Sequence, residues 1–125
     1  MSAYTKTQSN ITQTSSVAGS IEIAPDVIET IAYEAARQFK DIQVVNGSGN
    51  YLQGIFSRRR GVALYQNAQD QIVLDIHVMI NYGLSVPKLC LALQQHVIEQ
   101  VLFMTDYELS HVNVHVVGFN TQVAG

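Results

Sequence analysis

The stretch IVLDIHVMIN, Ile72 to Asn81, constrains this chain more than any other. Ile72, Leu74, Ile76, Val78 and Ile80 are all aliphatic, and the residues between them include Asp75, His77 and Asn81. Side chains alternate faces along a strand, so the segment predicts a strand with one buried and one wet face. A sheet with one apolar face needs a second layer to cover it.

Two segments supply that layer. In PDVIETIAYEAARQF, Ile28, Ile31, Ala35 and Phe39 recur at helical spacing. Pro25 suits a first helical position, where its missing N–H would be unpaired anyway. Glu22, Asp26 and Glu29 read as charges at the positive start of this helix, not as paired acids. The second helix is VPKLCLALQQHVIEQVLFMTD, with Ser85 as its N-cap and Pro87 tolerated in its first turn. Val86, Cys90, Leu93, Val97, Val101 and Met104 form its core stripe.

Shorter runs fill in the sheet. SIEIA and DIQVV read as strands, as does VALYQ ahead of a turn near Asn67 to Asp70. In the closing run HVNVHVVGF, Val112, Val114 and Val116 point one way, and His111, Asn113 and His115 the other. The predicted fold is α+β. A mixed, mostly antiparallel sheet of about five strands carries two helices on one face, in the order β-α-β-β-β-α-β. The Ser, Thr, Gln and Asn of residues 1–18 predict a mobile N-terminal tail. The domain spans 19–120, and 121–125 form a short C-terminal tail.

Composition narrows the function classes. Charged residues are 14% of the chain, against about 25% in ordinary soluble proteins. A surface so poor in charge favours self-association. The net charge of −3 argues against a specific nucleic-acid binder. Cys90 has no second cysteine to pair with, which suits a reducing, cytoplasmic setting, and as a small core residue it reads as inert. The N-terminus lacks a signal-peptide pattern, and no apolar run reaches the ~20 residues that span a bilayer.

Asp75, His77, His111 and His115 share the wet side of their strands. Three imidazoles and a carboxylate suit zinc if they converge. Same-face neighbours on a strand lie about 7 Å apart, however, so His111 and His115 cannot share an ion along one straight strand. Alternation alone accounts for polar residues here, and the expectation is no metal, no other cofactor and no catalytic residues. His96 is read as a solvent-facing residue at the edge of the second helix.

Two features invite a partner. Arg58, Arg59 and Arg60 lie in a stretch, residues 42–69, without any Asp or Glu. They form either a solvated turn or a docking site for an acidic partner or membrane surface. Leu91, Ile98 and Leu102 form a second apolar stripe on the second helix. It is either wedged between sheet and first helix, or a surface for self-association.

GSIEIAPDVIETIAYEAA, VALYQNAQDQIVLDIHVMINYG and VPKLCLALQQHVIEQVLFMTDYELSHVNVHVVG, in this order, resemble the alkaline shock protein family, the Gls-type bacterial envelope stress response proteins. The likeness runs from about Gly19 to Phe119; INYG, LQQHVIEQVLFMT and VNVHVVG are its most specific parts. It implies a small cytosolic α+β protein of Gram-positive bacteria without enzymatic activity. Some relatives are held at the membrane by a separate anchoring protein; others accompany a fatty acid kinase or lipid synthesis genes. The expected role is therefore an oligomeric scaffold or adaptor of the envelope stress response. An accessory or regulatory protein of fatty acid kinase or lipid metabolism is the alternative, and a metal-dependent enzyme on the histidine face a weaker one. Relatives often carry glycine where this chain has Asp106, and aspartate enters a left-handed helix end less readily.

Overall fold

The structure, a computed structural model, describes residues 12–14, 19–46 and 61–121. Its elements are β1 (Thr12–Thr14), β2 (Ser20–Glu22), α1 (Pro25–Arg37), β3 (Ile42–Val44), β4 (Val62–Gln66), β5 (Ile72–Asn81), α2 (Val86–Thr105) and β6 (His111–Asn120). The class is α+β, and from β2 onward the order is the one the sequence predicts. The addition is β1, which pairs antiparallel with β2 inside the stretch read as a tail. Its bonds are made by backbone groups, which carry no compositional signal.

The alternating strand β5 is the centre of the main sheet. β5 pairs antiparallel with β3 and β4 and parallel with β6. β3 and β4 share one edge of β5, end to end. His77 shows this, because the N–H and C=O of one strand residue point to the same side. The Val45 N–H donates to its carbonyl, and its own N–H donates to the Gly61 carbonyl, each at 2.9 Å. β6 therefore takes the opposite edge, and α2 supplies the crossover that a parallel pair requires.

Leu74, Ile76, Val78 and Ile80 are fully buried beneath the helices. α1 covers β3 and β4, α2 covers β6, and the helices pack against each other. α1 contributes Ile28, Ile31, Ala32, Ala35 and Ala36, and α2 contributes Leu93, Val97 and Val101. Phe39 packs partly buried at the rim of this core. Met104 departs from the expected stripe and is largely exposed. In this last turn of α2 it is Val101 and Thr105 that are buried, so the covered side of the helix has turned away from Met104.

The connections follow from local chemistry. Between β4 and β5 the Asn67 side-chain oxygen accepts from the amides of Gln69 and Gln71, closing the turn. Ser85 caps α2 as expected, its hydroxyl oxygen accepting from the Lys88 amide at 3.4 Å. Asp106 ends α2 in the left-handed region at φ 64, the conformation glycine takes most readily.

Candidate functional site

The open face of the sheet gathers the polar residues of three strands. β5 and β6 run in register, so His77 lies opposite His115 and Asp75 opposite Asn113. The two imidazoles stack with centroids 4.7 Å apart and planes 17° from parallel. Asp75 is the hub. Its Oδ1 accepts from Asn113 Nδ2 at 3.0 Å and from the Tyr65 hydroxyl at 3.5 Å, with His115 Nε2 at 3.6 Å. Burial, then the charge of Asp75, pushes the Tyr65 phenol above its ordinary pKa.

This geometry does not gather a ligand set. A metal binds in the plane of an imidazole, and an ion in the plane of one stacked ring lies out of the plane of the other. His111 is exposed opposite Val73, two residues further down the ladder than Asn113. Among the described residues, no group of three or more His, Cys, Asp or Glu is placed to hold a metal ion. What the arrangement does chemically is tie β4, β5 and β6 together through one carboxylate.

His96 is not the free edge residue the sequence suggested. Its Nε2 lies 2.9 Å from Oε1 of Gln38, the C-cap of α1, and its ring meets Phe39 edge-on at 5.6 Å. It joins the two helices. Cys90 packs half-buried against the core, and burial pushes its thiol up, away from the reactive thiolate.

Glu29, expected as a charge at the start of α1, has a further role. It is 3% exposed, and its Oε2 accepts from the Leu64 amide at 2.9 Å. That amide points away from β5, because alternate residues of β4 face it. Glu29 therefore satisfies the outer edge of β4. Its spacing from Ala32 and Ala36, three and seven residues on, was the available signal of burial.

Arg58, Arg59 and Arg60 lie outside the described residues. The points where their segment leaves and rejoins the sheet are described, and they touch. A Cβ on Gly61, whose φ is +78, would lie 2.1 Å from the Val45 carbonyl oxygen. On α2, Leu91 (55%) and Leu102 (40%) are exposed, whereas Ile98 is partly buried against the core. Phe103 was not singled out in the sequence and is 80% exposed, the highest value among the large apolar side chains described. Three consecutive apolar residues, Leu102 to Met104, offered that signal, since no helix face accommodates all three.

A family model for the alkaline shock protein 23 family, described as having cell envelope-related function, matches residues 13–121. The chain belongs to this family. Among its relatives, the uncharacterised protein YqhY of Bacillus subtilis is 32% identical over 106 residues, covering 80% of this chain and 76% of YqhY. The uncharacterised protein Spy1535 of Streptococcus pyogenes serotype M6 is 29% identical over 103 residues, covering 80% of this chain and 78% of the relative. No solved structure matches the chain.

Membership in the alkaline shock protein 23 family carries a cell envelope-related function. It also gives the INYG run a physical reading. Ile80 is fully buried, Asn81 Nδ2 donates to Asp41 Oδ1 at 3.0 Å, Tyr82 meets Phe119 edge-on, and Gly83 turns at φ +100. The motif thus fixes the end of β5 to the core, to the residue before β3 and to β6, and Gly83 makes the turn toward α2. No described helix is long and apolar enough to cross a membrane.

Proposed function

We propose that this protein is a non-enzymatic scaffold or adaptor of the cell envelope, working by self-association and by docking to a membrane-anchored partner on the cytoplasmic side. Large apolar side chains left exposed on α2, in a chain of envelope-related family, carry this reading. The polar cluster around Asp75 supports it, because its members hydrogen-bond and stack with one another across strands. Arg58, Arg59 and Arg60 set orientation and on-rate at an acidic partner or anionic surface in this proposal. Three arginines contribute at most ~3 kcal/mol at such a surface, enough to orient a protein held by something else.

The test has two arms. Light scattering of purified protein across a wide micromolar range is expected to give a mass above one chain, and a single-chain mass throughout removes the scaffold. In cells, changing Arg58, Arg59 and Arg60 together to Glu should reduce recovery with the membrane fraction, while the purified variant melts as the wild type does. Unchanged recovery removes the docking role of the arginines.

A further inference from the structure

The charges at the two ends of α2 are reversed with respect to the helix itself. Lys88 lies in the first turn, where the helix macrodipole favours an anion, and that turn holds no acid. Asp106 is the C-cap, where the dipole favours a cation, and the last turn holds no base. Both residues are exposed. They are eighteen positions apart, or five turns of 3.6 residues, so they lie on one line along the helix.

Beside that line run the exposed Leu91 and Leu102, with Ile98 between them. At about 100° per residue these three fall within about 40° of one another. They occupy the shoulder of α2 turned away from α1, since His96, which touches α1 through Gln38 and Phe39, points about 140° from Leu91. The midpoint between Leu91 and Leu102 is 96.5, and that between Lys88 and Asp106 is 97. Apolar pair and charge pair therefore share one centre.

From this we infer that α2 pairs with α2 of a second copy of this chain, antiparallel about a two-fold axis near residues 96–97, with Lys88 of each copy on Asp106 of the other. A two-fold of this kind keeps each side of the helix on its own side in the partner. Leu91 then meets Leu102, Ile98 meets Ile98 and Gln95 meets Gln95. Glu99, beside the Lys88–Asp106 line, falls opposite Gln95 of the other copy, so no like charges meet. Each cation reaches the negative end of the partner helix, and each anion its positive end, so charges unfavourable within one helix become favourable between two. This rests on the self-association proposed above and names its surface.

The experiment is charge complementation by sedimentation velocity. Lys88→Asp and Asp106→Lys are each expected to weaken self-association about tenfold or more, because each converts two attractive end contacts into repulsive ones. Mixed one to one, the two variants restore every end contact, and association should return to near the wild-type level. The mixture also controls for folding, since a misfolded variant would not be rescued. Gln95→Cys should give a disulfide-linked dimer under mild oxidation, and Glu34→Cys on α1 should not. If the wild type associates but neither single variant weakens it, or the mixture shows no rescue, the α2 pairing is wrong while self-association stands. A wild type that stays monomeric defeats both.

Discussion

The buried carboxylate of Glu29 and the amide of Leu64, 2.9 Å apart, join α1 to the outer edge of β4. Removing the carboxylate leaves a buried N–H without its acceptor, which costs about 1–3 kcal/mol. Glu29→Ala is expected to lower unfolding free energy in urea by that amount or more, because it also opens a cavity. Glu29→Gln keeps an acceptor and should recover part of the loss. A loss below about 0.5 kcal/mol in the alanine variant would place this contact outside the energetics of the fold.

The stacked pair of His77 and His115 predicts protein without stoichiometric transition metal. Elemental analysis of untagged protein checks this. One zinc per chain that disappears on His77→Ala would reverse the reading of the open face.

Alkaline pH should weaken the fold through Tyr107. Burial against the core raises its phenol to about 12 from the ordinary 10. The unfolded chain therefore loses this proton first as pH rises. The contribution of Tyr107 is complete below pH about 10 and is lost on rising through about 12, and Tyr65, shifted in the same direction, adds to the trend. Melting temperatures measured from pH 9 to 12 should fall less steeply for Tyr107→Phe than for the wild type. Parallel curves would remove Tyr107 as the cause.

Asp106→Gly separates two roles of one residue. Glycine enters the left-handed region without the Cβ penalty, so thermal stability should rise by the equivalent of about 0.5–1 kcal/mol. Self-association should weaken in the same variant, because the carboxylate opposite Lys88 is gone. A rise in both properties would contradict the α2 pairing.

Much of the fold was legible because periodicity reports direction. The aliphatic face of β5, the stripe of α1 and the Ser85 cap all follow from residue order. Direction does not report what lies beneath. Met104 continues the apolar stripe of α2, yet in that last turn Val101 and Thr105 take the buried positions and Met104 is exposed. Glu29 sits on the buried stripe of α1, but its acceptor role depends on β4 arriving there from 35 residues downstream. The ladder of β6 slips by one residue at Val117, between the partners of Val78 and Met79, and the adjacent valines Val116 and Val117 hint at it in the sequence. The partnership of His77 with His115 depended on β5 and β6 being parallel neighbours, which strand composition does not specify.

Val45 and Gly61 meet on the backbone of a single residue, His77, through two hydrogen bonds of 2.9 Å on the same edge of β5. The sheet therefore takes its register from these two points, whatever number of residues runs between them. Lengthening a connection whose ends are already held together costs little, about 0.6 kcal/mol per doubling. The connection from Val45 to Gly61 is thus expected to take an exchanged or inserted sequence while β3, β4 and β5 keep their alignment. Gly61 itself is the fixed point of that exchange, because any side chain there would push the two ends apart.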